Sequence, residues 1–199
     1  MLVNTFSHIP GIGPTTEEKL WNSGIRTWED ALLQSDALGK KAPGIQSGVQ
    51  TSIDQLENKN AKYFEDLLPA SQHFRLFPEF RNTCVFLDIE TTGLETTSTI
   101  TTIALYDGTS VRYYVQGKNL DAFLKDIRQY QVIVTYNGKT FDLPFIRNHF
   151  NCQLPHAHID LRYILKSLGF AGGLKKCERA MGIDRQDLDG VDGYLVVGK

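Results

Sequence analysis

The apolar and polar positions of the first eighty residues follow the periodicity of helices rather than strands. One helix is predicted to begin at Pro14, within a capping-box pattern that starts at Thr15, and to end before Gly24. A second, short helix is predicted to follow an N-cap at Thr27, and a longer one to cover roughly residues 49–67. We therefore expect a small, all-helical N-terminal module.

From about residue 83 the pattern changes to that of strands. Residues 83–90 are apolar on both faces, which is typical of a central strand. The following predicted elements are two hairpin strands joined by Asp107-Gly108, a helix within 119–130, a strand within 131–139, a helix within 140–150, a strand or connector at 156–161, and helices within 161–170 and 173–182. A three-strand meander followed by alternating helices and strands is the element order of a ribonuclease H-like α/β domain. We predict a helical module and connector over 1–80, and a ribonuclease H-like mixed sheet flanked by helices over 81–199.

Composition narrows the class of protein further. The 199 residues carry a formal net charge of −2, which provides no bulk attraction to a polyanion, so any nucleic acid must be bound by local patches or metal ions. The three cysteines form no paired motif, which favours reduced thiols and a cytoplasmic protein. The sequence contains no apolar run of membrane-spanning length, no signal peptide pattern and no nucleotide-cofactor fingerprint.

Two acidic side chains stand at the end of the predicted central strand. Asp88 and Glu90 are two positions apart, so they share a face of the strand while Ile89 points to the other. Asp142 lies in the first turn of a helix directly after a second buried strand. If the two strands are parallel neighbours, their carboxyl ends meet, and the three acids gather at one edge of the sheet. Oxygen ligands of this kind suit Mg²⁺ or Mn²⁺.

These segments resemble the first two motifs of the DEDD-type 3′–5′ exonucleases, a ribonuclease H-like superfamily. The stretch DIETTGL at 88–94 is similar to the first motif and NGKTFD at 137–142 to the second, and the resemblance, closest to the YprB-like predicted exonucleases, covers about 83–195. It implies that Asp88, Glu90 and Asp142 bind two Mg²⁺ or Mn²⁺ ions. It also implies contacts with the terminal nucleotide, from Thr91 and Thr92 by hydrogen bonds, from Leu94 as an apolar wedge, and from Asn137, Lys139 and Phe141 along the same cleft. Each of these contact residues also has an ordinary interpretation as a turn or packing position.

The third motif of that superfamily, a Tyr or His preceding a fourth acid, has no counterpart in this sequence. Four acids occur in the last sixteen residues, namely Asp184, Asp187, Asp189 and Asp192. Asp160 is a further candidate metal ligand, although its counterpart in the relatives is usually a supporting residue. We expect a chain shortened at its C-terminus relative to a complete enzyme, with weak or absent turnover and weakened metal binding.

The N-terminal segment HIPGIGPTTEEKL resembles the hairpin of a helix-hairpin-helix module. That resemblance implies phosphate contacts from Gly11, Gly13 and Lys19. A tight turn between two packed helices is an equal alternative, because only residues 1–8 remain for the preceding helix.

The resulting hypothesis is a metal-dependent 3′–5′ exonuclease that hydrolyses phosphodiester bonds at single-stranded DNA or RNA ends. Two alternatives stay open: a catalytically degenerate nucleic-acid-binding protein of the same fold, and an endonuclease of the ribonuclease H type. The sequence leaves the oligomeric state undetermined, and it indicates no membrane partner.

Overall fold

The structure, a computed structural model, describes residues 1–95 and 98–183. Its N-terminal part is helical. The helices are α1 (Pro14–Asn22), α2 (Trp28–Leu33), α3 (Ser35–Leu38), α4 (Ala42–Glu57), α5 (Ala61–Leu67) and α6 (Phe77–Phe80), with 3-10 helices at Leu2–Asn4, Gly39–Lys41, Ala70–Leu76 and Arg81–Thr83.

The ends of these helices follow local sequence features. Thr27 caps α2 in a complete capping box, as predicted, because its side chain accepts the Asp30 N–H while the Asp30 carboxylate accepts the Thr27 N–H. The capping box predicted to start at Thr15 is wrong. Helix α1 begins at Pro14, as predicted, but Gly13 is its N-cap, so Thr15 is already inside the helix.

The single long helix predicted over 49–67 is divided in two. Helix α4 begins earlier, at Ala42, and ends at Glu57, and α5 starts anew after Asn60, whose side chain accepts the Tyr63 N–H. Between them Lys59 has a φ of 55°, and this left-handed conformation ends the helix. The break turns α5 toward the edge of the sheet that follows.

The C-terminal part contains a five-stranded mixed sheet in the order β3-β2-β1-β4-β5. Its elements are β1 (Cys84–Thr91), β2 (Ile100–Tyr106), β3 (Val111–Val115), α7 (Phe123–Ile127), β4 (Val132–Thr135), α8 (Asp142–Phe150), β5 (Ala157–Asp160), α9 (Leu161–Ser167) and α10 (Leu174–Ala180), with a 3-10 helix at Leu120–Ala122. The first three strands are antiparallel, while β4 runs parallel to β1 and β5 parallel to β4. The predicted mixed α/β architecture and the parallel β1–β4 pair are confirmed.

Two apolar layers cover the two faces of the sheet. On one face Cys84, Val132 and Ile159 pack against the N-terminal helices in a core that also contains Phe6 and Phe64. The opposite face packs against α7 and α8 in a second core, whose members include Val85, Ile103, Ile133, Phe123 and Ile146. The first core contains residues from both sides of residue 80, so the helical module packs directly on one face of the sheet. The boundary at 80/81 remains a prediction.

A buried ion pair holds the beginning of the chain to this layer. Glu17 is 1% exposed and accepts hydrogen bonds from the Phe6 and Ser7 N–H groups and from the Arg75 guanidinium at 2.9 Å. Burial by itself raises the pKa of Glu17, but the Arg75 and backbone hydrogen bonds outweigh it, and the pKa is lowered. Sequence patterns gave no indication of this ion pair, because Glu17 occupies a position that is ordinarily exposed in the first turn of a helix.

Candidate active site

Asp88 and Glu90 lie where β1 extends beyond the helical layer. Along β1 the odd positions Leu87 and Ile89 are buried, and Asp88 and Glu90 are exposed on the opposite face. Pairing of β1 with β4 ends at Phe86, so the two acids follow the end of the parallel pair. Burial, and then the charge of Asp88, raises the pKa of Glu90. The two carboxylates are therefore close enough to repel.

Asp142 is the first residue of α8 and is 4% exposed. Burial and the charge of Asp88 raise its pKa to about 7, against the opposing effect of hydrogen bonds from its own N–H and from the Ile89 N–H. The Ile89 contact places the Asp142 carboxyl group directly against β1, next to Asp88. The structure thus brings the two separated sequence segments together, as the parallel-strand argument predicted.

The donor set has the chemistry of a hard-cation site. All three groups are carboxylates, which Mg²⁺ and Mn²⁺ prefer. A bound cation would offset both burial and the charge of Asp88, which raise the pKa of Glu90 and of Asp142. Within residues 1–95 and 98–183, however, no group of three or more His, Cys, Asp or Glu side chains is arranged to hold a metal ion. Asp88 is the neighbour of both other acids, since its charge raises the pKa of Glu90 and that of Asp142. Asp88, Glu90 and Asp142 would be the residues to hold a cation here.

Asp160 has a different role in the structure from that of the three acids. It is 3% exposed, and both carboxylate oxygens accept backbone hydrogen bonds: Oδ1 from Asn137 (2.8 Å) and Arg162 (3.0 Å), and Oδ2 from Lys139 (3.1 Å). It caps α9 and at the same time fixes the loop between β4 and α8. These bonds favour the supporting role over metal ligation, since the oxygens already have donors.

A second set of contacts, made by residues of β4 and β5, fixes the same loop. The Gly138 N–H donates to Thr135 Oγ1 at 2.9 Å, and Thr135 Oγ1 lies 2.9 Å from Nε2 of His158 on β5. Burial, as the largest cause, lowers the pKa of His158 to about 4, so its ring is neutral at physiological pH. A side chain at Gly138 would place its Cβ 2.2 Å from Thr135 Oγ1, so the loop requires glycine. Thr135 and His158 were not predicted, because only the tertiary structure shows that they contact the loop before Asp142.

The predicted nucleotide contacts from the first motif surround a loop after β1. Thr91 Oγ1 donates to the Gly93 carbonyl (2.7 Å), and Thr92 Oγ1 accepts the Thr99 N–H (3.0 Å), so both hydroxyls stabilise the loop itself. Leu94 is 82% exposed and lines a groove of about 470 Å³ together with Phe141. The structure therefore brings Leu94 and Phe141 together at one groove.

The residues of the second motif are divided between two surfaces. Asn137 has a φ of 68°, and its Oδ1 accepts from Thr140 Oγ1 (2.8 Å) and from the Arg162 guanidinium. The Lys139 ammonium lies 5.6 Å from the centre of the Tyr163 ring and lines a second cleft, which Phe141 does not line. Lys139 and Phe141 thus face different cavities rather than a common one.

The residues predicted to contact phosphate in the N-terminal segment lie on or next to α1. Gly11 is exposed with a φ of 81°, Gly13 caps α1, and Lys19 is exposed in the last turn of that helix. The element before the hairpin is only the three-residue 3-10 helix Leu2–Asn4. The helix-hairpin-helix interpretation stays a prediction. The C-terminal acids Asp184, Asp187, Asp189 and Asp192 lie outside the described residues.

Comparison with known families identifies the class of protein that this fold and site define. The model of the RNase_H superfamily matches residues 85–198, which is more than half of the chain, so the chain belongs to that superfamily. Its members are commonly nucleases that use divalent metals, and membership implies nucleic acid binding. No curated protein matches the chain. Among the described residues no helix is long and apolar enough to cross a membrane.

Proposed function

We propose that this chain is a metal-dependent nuclease that hydrolyses phosphodiester bonds from the 3′ end of single-stranded nucleic acid. One observation carries the proposal: the buried Asp142 carboxyl group lies against β1 beside Asp88, at the carboxyl edge of a parallel strand pair. Two carboxyl groups that disfavour each other's ionisation are an arrangement that a divalent cation stabilises. When bound, Mg²⁺ or Mn²⁺ would activate a water molecule and stabilise the leaving oxygen.

The chain's own residues have separate tasks in this proposal. Asp88, Glu90 and Asp142 supply negative charge at the sheet edge. Asp160 holds the loop that positions Asp142, through its bonds to the Asn137 and Lys139 N–H groups.

The terminal nucleotide would lie at the groove between Leu94 and Phe141. Leu94 is exposed enough to contact a base, and Phe141 packs 4.8 Å, centre to centre, from Phe145, so the groove has an aromatic wall. Aromatic and aliphatic walls accept every base, which suits an enzyme that removes nucleotides without regard to sequence.

Cleavage of labelled single strands tests the proposal. Linear DNA and RNA strands labelled at the 5′ end should be shortened stepwise in Mn²⁺ or Mg²⁺ and not in EDTA, and a circular strand should remain intact. Asp88→Asn and Asp142→Asn should abolish shortening, whereas Asp121→Asn, which removes an exposed carboxylate after β3, should retain it. Cleavage of the circle would identify an endonuclease instead.

A non-catalytic nucleic-acid-binding protein is the second candidate, and one observation favours it. No set of three or more His, Cys, Asp or Glu groups in the described parts of the chain is arranged to hold a metal. Binding of single strands without any metal-dependent shortening, unchanged by Asp142→Asn, would establish this alternative.

A further inference from the structure

A second cleft of about 570 Å³ lies between the helical layer and the β5 edge of the sheet. One wall comes from α5 and the turn that follows it, with Lys62, Glu65 and Asp66. The opposite wall comes from the β4–α8 loop and from α8, with Lys139 and Arg147. Its size is that of a ligand site rather than of a packing defect.

The two walls differ in charge. The α5 wall carries a net charge of −1, because the single ammonium of Lys62 contacts two carboxylates, those of Glu65 (2.5 Å) and Asp66 (2.9 Å). On the opposite wall, Lys139 and Arg147 form no ion pair with any residue in 1–95 or 98–183. An anion entering the cleft would therefore be attracted to Lys139 and Arg147.

The polar groups at the base of the cleft are engaged in hydrogen bonds within the protein. The Asp160 carboxylate is occupied by backbone N–H groups, and His158 is neutral and bonded to Thr135. His73 contacts the His158 carbonyl through Nδ1 (3.0 Å) and the Leu68 carbonyl through Nε2 (2.9 Å). The base of the cleft is thus held by internal hydrogen bonds, and the exposed cations remain available.

The cleft and the candidate active site share the β4–α8 loop, although none of the three acids lines the cleft. Lys139 is three residues before Asp142, and the Asp160 carboxylate, which holds the Lys139 N–H, lines the cleft. Arg147 lies five residues after Asp142, about 7.5 Å further along the axis of α8 and on a different face of that helix. A strand whose end is at the acids would reach this wall by passing over the β4–α8 loop, where Lys139 lies.

We propose that the cleft binds the phosphodiester backbone of the single strand behind its terminal nucleotide, with Lys139 and Arg147 as the phosphate contacts. This inference rests on the proposed nuclease function. A guanidinium can bind a phosphate through two parallel hydrogen bonds, so Arg147 is the stronger of the two contacts. Neither cation contacts base edges in this arrangement, so it adds affinity without sequence preference.

The salt dependence of binding tests the cleft without requiring hydrolysis. Anisotropy would be measured in EDTA with fluorescein-labelled single strands of about 12 nucleotides, in separate DNA and RNA series, from about 50 to about 200 mM NaCl. Each lost phosphate contact should reduce the slope of log K against log salt by about 0.7, so Arg147→Ala should lose about 0.7 and the double variant with Lys139→Ala about 1.4. Arg81→Ala is the matched control, because this exposed arginine precedes β1 at the opposite end of the strand from the acids.

Each result has a distinct consequence. An unchanged slope for Arg147→Ala, or an equal loss for Arg81→Ala, overturns the cleft proposal even if the wild-type chain shortens its substrate. A specific loss of slope in a chain that never shortens a strand supports the cleft and contradicts the nuclease function. Circular dichroism spectra of all variants check that they are folded, and a wild-type chain that binds neither DNA nor RNA also overturns the cleft proposal.

Discussion

Replacement of Asp160 separates a positioning role from metal ligation. Its carboxylate accepts three backbone N–H groups at 2.8–3.1 Å, from Asn137, Lys139 and Arg162. A hydrogen bond to a charged acceptor contributes about 1.5–3 kcal/mol, and water can replace part of it at a half-buried N–H. We therefore expect Asp160→Ala to lower the free energy of unfolding by about 3–5 kcal/mol.

Asp160→Asn should lower the free energy of unfolding by less, about 1–2 kcal/mol. The amide oxygen can still accept two N–H groups, whereas the amide NH₂ is itself a donor and cannot bind the third N–H. Urea unfolding, followed by the fluorescence of Trp21 and Trp28 and by circular dichroism, measures these differences. Asp121→Ala and Asp121→Asn provide the matched surface controls.

Mn²⁺ titration calorimetry of the same variants completes the experiment. If Asp160 only positions the loop, the loss of Mn²⁺ affinity should follow the loss of stability, and Asp160→Asn should retain part of both. Unchanged stability of Asp160→Asn together with complete loss of Mn²⁺ binding would refute this reasoning and make Asp160 a metal ligand.

Three further predictions concern single residues. Glu17→Gln should lower the free energy of unfolding by about 3–5 kcal/mol at neutral pH, because Arg75 loses its buried partner. The difference in stability between Glu17→Gln and the wild-type chain should shrink as the pH falls through the lowered pKa of Glu17. Urea unfolding at a series of pH values measures the loss of stability and its pH dependence. Asp142→Asn should raise the free energy of unfolding of the metal-free protein by about 2–4 kcal/mol at pH about 8, and by less at pH about 5, as urea unfolding would show. The reason is that the pKa of Asp142 is raised to about 7 in the folded protein, so that above pH about 4 ionisation favours the unfolded chain. An equal gain at both pH values would contradict this. Gly138→Ala should lower the free energy of unfolding by about 1–3 kcal/mol and weaken Mn²⁺ binding, because the new Cβ overlaps Thr135. Thermal unfolding and titration calorimetry measure these two effects.

Local sequence features predicted the elements well where a single interaction decides the structure. The hairpin turn at Asp107-Gly108 and the Thr27 capping box depend on neighbours within a few residues, and both are present. The N-cap of α1 and the boundaries of α4 were wrong by contrast. Several residues near Pro14 can serve as caps, and the helix break near Lys59 depends on packing of α5 against the sheet edge.

The sequence by itself determined that Asp88 and Glu90 share one face of a buried strand and that Asp142 lies at the start of a helix. Each of these positions follows from the geometry of a single strand or helix. Only the tertiary structure decided that Asp142 lies against Ile89, that Asp160 is occupied by the loop before α8, and that Lys139 faces a different cavity from Phe141. These are contacts between segments far apart in the chain. Strand order and helix packing set such distances, and no periodicity within a single element encodes them.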